Sequence, residues 1–256
     1  MACYCGRSSR DGGYTLSSTL KAHTGTIRSV KFNPFEGGDC NSLVSGGAGD
    51  CRLRLWDVQQ GSCMELAAHH DHIHGISWMS PQLILSGCES GQLIAHDTRA
   101  ASVAWSIDMS GGVCALHCLA DDGVGIVGHV EGGVSVLDLR ERRVLATYRL
   151  HGGDVRSVAM WNESGHQKQK QATFGGTDGF FALTTSFDGK GCVWRLPSQL
   201  ARGNVVGPPT EFRKVMSLIG HTDKILCGVH SPLTDDIFTS GADGNVMFWS
   251  PRQYHV

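Results

Sequence analysis

The sequence predicts an all-β chain assembled from a repeated four-stranded unit, and three observations carry that prediction. The stretch Leu43 to Asp57, LVSGGAGDCRLRLWD, sets an apolar run, a Gly-rich turn and an alternating run ending at Trp56 in succession, which is the pattern of a β-hairpin. Its elements return, as Ala182 to Trp194 behind His151 and as Ile237 to Trp249 behind His221, just as Leu43 to Asp57 lies behind His23. Finally, 34 glycines against 7 prolines in 256 residues suit many tight turns, and no stretch has a convincing helical period.

The elements follow in order. Residues 1 to 12 are small and polar and read as a tail, leaving 13 to 256 as one domain. Thr15 to Lys21 reads as a short strand ahead of Ala22-His23, and Ile27, Val30 and Phe32 mark the next. After the Leu43 to Asp57 hairpin, Ser62 to Ala67 completes the first round. Ile73 to Trp78, Leu83 to Ser86, Gln92 to His96 and Val103 to Ile107 give a second. Val113 to Leu119, Gly125 to Val127, Val134 to Leu137 and Val144 to Arg149 give a third. Val155 to Met160, Ala182 to Thr185, Gly191 to Trp194 and Val215 to Ile219 make the fourth, interrupted by polar insertions at 162 to 179 and 197 to 213. The fifth has three strands, Ile225 to His230, Ile237 to Ser240 and Asn245 to Trp249.

Composition bounds the function classes. A net charge of -2 with both signs interspersed excludes a generally basic nucleic-acid surface and a strong field for anionic membranes. No apolar run approaches the 18 or so residues of a spanning helix, and the N-terminus lacks a signal-peptide core, so a cytoplasmic or nuclear protein is expected. Ten cysteines without any Cys-x-x-Cys pair, many of them inside strand patterns, read as reduced thiols. No cofactor motif is present.

The pairs Ala22-His23, Ala68-His69 and Gly220-His221, the Asp-Gly turns at 188 and 243 and the Trp56-Asp57 dipeptide resemble WD40 repeats over roughly residues 15 to 250. Several spacings hold together. His23, His69, His151 and His221 each precede an apolar residue by four positions, and Asp50, Asp188 and Asp243 each precede a Trp by six. The resemblance implies a β-propeller of four-stranded blades. Five blades are counted, where the family commonly has seven. The spare strand at Thr15 to Lys21 is expected to pair beside Asn245 to Trp249 and close the ring, which would leave no exposed edge.

The spacing also has a physical reading of its own. His23, Ser45, Asp50 and Trp56 can form a chain in which a carboxylate fixes one imidazole nitrogen, the other meets a hydroxyl, and the hydroxyl accepts the indole N–H. His151, Thr184, Asp188 and Trp194 repeat the set, as do His221, Thr239, Asp243 and Trp249. The second round keeps His69 and Ser86 but has Ser90 for the Asp and His96 for the Trp. The third has Met109, Val127, Glu131 and Leu137 at the four places, so packing is expected to replace its polar chain. Ser, His and Asp together also spell a hydrolase triad. A triad serves one pocket, whereas this set recurs with a Trp in each full copy, so no enzyme is expected.

His69, His70, Asp71, His72 and His74 form the densest ligand-like cluster. Without a fixed ligand spacing, His69 is assigned to the blade network and the others to an exposed loop, with no metal.

The resemblance implies an interaction scaffold that binds other proteins within a larger complex, with no membrane, no small-molecule substrate and no direct nucleic-acid contact. Arg28, His74 and Arg156, each just past the apolar position after a blade histidine or its equivalent, are candidate rim contacts. Asp97 with Arg99 and Asp138 with Arg140 resemble the Asp-x-Arg box of WD40 substrate receptors for cullin-RING ubiquitin ligases, which supplies an alternative function. An RNA-processing assembly factor is a second alternative, with His166, Lys168 and Lys170 as the polar insertion that could touch phosphate.

Overall fold

A computed structural model describes residues 16–35, 41–162, 179–196 and 212–250. The chain divides into two compact units, Met1–Met109 and Ser110–Val256. The tail at 1 to 12, Tyr14, the greater part of both insertions, and His166, Lys168 and Lys170 lie outside the described residues.

The first unit has two four-stranded antiparallel sheets, each running in simple chain order. One is β1 (Ile27–Phe32), β2 (Ser42–Gly47), β3 (Arg52–Asp57) and β4 (Ser62–Ala68); the other is β5 (Ile73–Ser80), β6 (Leu83–Cys88), β7 (Gln92–Asp97) and β8 (Ser102–Asp108). Val44, Leu53, Ile73, Ile76, Trp78 and Ile84 form the apolar layer between them. Trp78 also donates its indole N–H to the Lys31 carbonyl of β1 at 3.3 Å, so this tryptophan joins the two sheets.

The second unit repeats the plan. Its sheets are β9 (Val113–Leu119), β10 (Val124–His129), β11 (Gly133–Asp138) and β12 (Arg143–Arg149); then β13 (Val155–Asn162), β14 (Phe180–Ser186), β15 (Gly191–Leu196) and β16 (Arg213–Leu218); and last β17 (Ile225–His230), β18 (Ile237–Gly241) and β19 (Val246–Trp249). A short 3-10 turn at Val130–Gly132 is the one helical element among the described residues. The β13 strand packs across β9 and β10, and here Gly128 is required. A Cβ on it would come within 2.8 Å of both the side chain and the carbonyl of Val155, so a side chain would push the sheets apart. Trp161 stacks on His230 at 3.9 Å between ring centroids, which ties β13 to β17.

A recurrent irregularity fits the repeat. In each four-stranded sheet the register of the third and fourth strands slips at one place, between Leu53 and Arg54, Ala95 and His96, Val136 and Leu137, and Val193 and Trp194. Such a bulge adds local twist and re-aims the side chain beside it. In three of the four sheets that side chain is the residue at the Trp position; in the first it is Arg54, two residues earlier.

The N-terminal strand is corrected. Residues 16–23 carry no strand, and the fifth sheet has three strands, β17-β18-β19, among the described residues. Residues 16–21 hold four polar residues in Ser17, Ser18, Thr19 and Lys21, and only Leu16 and Leu20 to bury, so little favours their joining a ladder.

Candidate functional site

The predicted network residues meet in three sheets. In the first, His23 Nδ1 faces both Asp50 oxygens at 3.0 and 2.9 Å, and its Nε2 lies 2.7 Å from Ser45 Oγ. An ionised carboxylate only accepts, so the imidazole proton sits on Nδ1, and Nε2 accepts from the Ser45 hydroxyl. Trp56 Nε1–H then donates to Ser45 Oγ at 2.7 Å, and each polar atom of the chain has a partner. The fourth sheet does the same with His151 to Asp188 at 3.2 Å, His151 to Thr184 at 2.7 Å and Trp194 to Thr184 at 2.8 Å. In the fifth, His221 reaches Asp243 at 2.9 Å and Thr239 at 2.9 Å, and Trp249 donates to Thr239 at 2.9 Å.

Each Asp does more than hold a histidine. Asp188 accepts the backbone N–H of Gly152 and of Lys190, and Asp243 those of Thr222 and Asn245, so one carboxylate closes its own turn and pins the preceding loop. Burial resists the ionisation of Asp243, yet these donors and His221 hold its carboxyl down to about 2. Asp50 and Asp188 are likewise below the ordinary carboxylate range, burial being outweighed by their hydrogen bonds. The left-handed Gly189 and Gly244 that follow, with φ of 77° and 78°, let the turn close without a Cβ penalty.

The first-sheet turn is longer. Ser45 pairs with Arg54, nine positions on, while Thr184 pairs with Cys192, eight on. The extra residue lies between Ser45 and Asp50, since Cys51 at φ 56° fills the left-handed place that Gly189 fills after Asp188.

The second and third sheets solve the problem differently. His69 Nε2 and His96 Nε2 both lie 2.7 Å from Ser86 Oγ, whose hydroxyl also reaches the Ile94 carbonyl at 3.4 Å. With Ser86 donating to that carbonyl and both imidazoles donating to Ser86, no donor is stranded. The two Nδ1 lone pairs are then without a partner in the buried interior. Burial pushes His69 down to about 4 and His96 to about 3, so both are neutral at pH 7. Ser90, at the Asp position, turns instead to Cys88 Sγ at 3.1 Å.

For the third sheet the expectation of pure packing is corrected. Leu137 and Val127 are buried as expected, but His129 Nδ1 donates to the Gly111 carbonyl at 3.1 Å and its Nε2 meets Ser135 Oγ at 2.7 Å, which is in turn 2.7 Å from Thr147 Oγ1. The imidazole enters from the end of β10, off the usual position, so the spacing rule could not find it.

The candidate rim residues separate into two kinds. Arg28 is exposed on β1. Arg156 is engaged within its unit, with Nη1 3.6 Å from Cys114 Sγ and the guanidinium 5.0 Å above the Phe187 ring. Both Asp-x-Arg boxes cap their own turns. Asp97 accepts the Arg99 backbone N–H at 2.9 Å and grips its guanidinium through Nε at 3.1 Å and Nη2 at 2.7 Å, which holds the Asp97 carboxyl to about 2. Asp138 accepts the backbone N–H of Arg140 and of Glu141, both at 3.0 Å, and the Arg140 side chain lies back over Gly123 with Nη2 on the Asp121 carbonyl at 3.4 Å.

The histidine cluster is not one loop. His69 joins the buried network, but His74 lies on β5 with its side chain largely buried, which corrects its loop assignment. Glu89, just past β6, completes a group that local sequence could not show.

The family model for the WD domain, G-beta repeat, matches residues 14–57 and 212–250. Residues 14–57 and 212–250 are therefore WD40 repeats. The His, Ser/Thr, Asp and Trp sets of the first and fifth sheets fall within these matched residues.

Among curated proteins, the chain is 27% identical over 149 residues to Pre-mRNA-processing factor 19 of Bos taurus, covering 56% of the chain and 29% of that protein. It is 22% identical over 239 residues to Nuclear distribution protein PAC1 of Candida dubliniensis, covering 90% of the chain and 44% of that protein. Coronin-7 of Rattus norvegicus is 28% identical over 90 residues, 34% of the chain and 9% of that protein. The chain thus spans less than half the length of each of these relatives. No helix among the described residues is long and apolar enough to cross a membrane.

Proposed function

We propose that this chain is a non-enzymatic interaction module that binds other proteins within a larger complex, and that the outer face of its fifth sheet is a principal contact. One observation carries this reading. Val229, Phe238 and Phe248 are paired across β17, β18 and β19 as a single cross-strand row, and Cys227, Ser240 and Val246 form the next row on the same face. Val229 is 51% exposed, Phe248 58% and Val246 74%, while Ile237 and Thr239 on the opposite face are buried. A sheet with one apolar face packed and a second apolar face open to solvent suits a protein partner with an apolar surface of its own.

The Ser45 and Ser86 hydroxyls are buried and already hydrogen-bonded within the blades, which supports their scaffold role over a nucleophile's. The internal pairing of Asp97 with Arg99 likewise favours a turn brace over the cullin-RING receptor reading.

A second reading, an RNA-processing assembly factor, is favoured by the similarity to Pre-mRNA-processing factor 19. A nuclear or cytoplasmic setting fits both readings. Co-purification with quantitative mass spectrometry, comparing the natural chain with Phe248→Asp and Val246→Glu, tests the proposal. A defined set of proteins should be lost from both variants while their circular dichroism is unchanged. Identical protein sets would contradict the fifth-sheet contact, and splicing proteins in the lost set would select the second reading.

A further inference from the structure

We propose that His72, His74 and Glu89 form a surface binding site for a divalent transition metal, with zinc as the fitting ion. The three ligand atoms lie within 4.8 Å of one another. Glu89 Oε2 stands 3.2 Å from His72 Nδ1 and 3.3 Å from His74 Nε2. Tetrahedral zinc with bonds of about 2.0–2.2 Å sets its ligand atoms roughly 3.3–3.6 Å apart, so two edges of the tetrahedron already stand near their final length.

The fold presents these groups for simple reasons. His72 and Glu89 flank the start of the β5–β6 ladder, where the Glu89 backbone N–H donates to the His72 carbonyl at 3.0 Å. His74 is two residues beyond His72, on the same side by strand alternation, and the register slip between Ile73 and Gly75 falls at His74 itself. The His74 side chain is only 7% exposed, which fixes one ligand firmly, while His72 at 51% and Glu89 at 49% remain open to solvent.

Two imidazoles and one carboxylate are a borderline donor set suited to Zn(II), and a three-ligand site leaves a coordination position for water or for a side chain of a partner protein. His70 and Asp71, adjacent in sequence, are not members of the group. The inference does not depend on the proposed protein contact, since the site lies in the second sheet.

The test is zinc titration of the full chain after chelator washing, followed by calorimetry and by competition with a chromophoric chelator, with Co(II) substitution as a spectroscopic check. One equivalent should bind at pH 7.5, with a tetrahedral Co(II) spectrum lacking thiolate charge-transfer bands. Glu89→Gln, an exposed and nearly isosteric change, should weaken binding at least about tenfold, and His74→Ala more. His72→Ala, at an exposed position, guards against a folding defect in the His74 variant. No binding at 100-fold metal excess, affinity unchanged by Glu89→Gln and His72→Ala, or a thiolate spectrum pointing to the free cysteines would each overturn the proposal.

Discussion

The second and fourth sheets bury a histidine by opposite means. In the fourth, Asp188 accepts the hydrogen bond of His151 Nδ1–H and leaves Nε2 to accept from Thr184, whose oxygen then receives the Trp194 indole N–H. In the second, two imidazoles share the Ser86 hydroxyl and leave two buried nitrogens without a partner. A carboxylate in the turn therefore does more than fill space. It chooses a tautomer, satisfies the last polar atom and ties the turn to the preceding loop, while burial holds the histidines of both sheets below the ordinary imidazole range.

The largest effect is expected from breaking the complete network. Thr184→Val keeps the shape but strands both the His151 nitrogen and the Trp194 N–H, and it should lower unfolding free energy by about 2–4 kcal/mol in denaturant titration. An acid-dependent difference comes next. The folded-state values of His69 and His96 lie below the ordinary 6.5, so the unfolded chain binds more protons between those limits. Stability contributed by the second sheet is full above about pH 6.5 and falls toward pH 4, by up to about 1.4 kcal/mol per pH unit for each histidine. The depressed carboxyls of Asp50 and Asp188 have the same sign in a lower window: their contribution is present above about pH 4 and is lost below it. Hydrogen exchange of the second and fourth sheets measured from pH 7 to 3 would follow both windows, the fourth sheet also losing some stability in the upper one because burial lowers His151.

A smaller gain should come from repairing the second sheet. Ser90 stands six residues before His96, as Asp188 stands six before Trp194, so Ser90→Asp should offer His69 the missing carboxylate and stabilise the protein by about 1 kcal/mol at neutral pH, read as a raised denaturant midpoint. The smallest effect belongs to the exposed Asp97–Arg99 brace. Arg99→Ala should leave the denaturant midpoint essentially unchanged, since solvent screens this exposed pair.

Much of this was legible because the repeat uses the two strongest local signals together. Gly-rich turns and alternating apolar residues placed every observed strand within two residues of its boundaries, from Ile27–Phe32 to Val246–Trp249. Repeated spacing then marked His23, His151 and His221 as members of one kind of network. What escaped lay across hairpins or off the repeat. Glu89 meets His72 and His74 only because β5 folds against β6, and His129 reaches Ser135 from a position the other blades do not use. The apolar face at Val229, Phe238 and Phe248 was hidden for a related reason, since alternation reports which residues share a face but not whether a partner covers it. Residues 16–23 failed as a strand because polar content outweighed two apolar side chains.

Imidazole titration of the isotopically labelled chain by NMR tests the account most directly, because it reads each histidine's tautomer and protonation state in place. His69 and His96 should both appear as neutral Nε2–H tautomers that stay unprotonated well below pH 6, while His151 should show the Nδ1–H form set by Asp188. Titration of His69 and His96 near the ordinary 6.5, or the same tautomer in all three, would contradict the claim that the turn carboxylate decides how each blade buries its histidine.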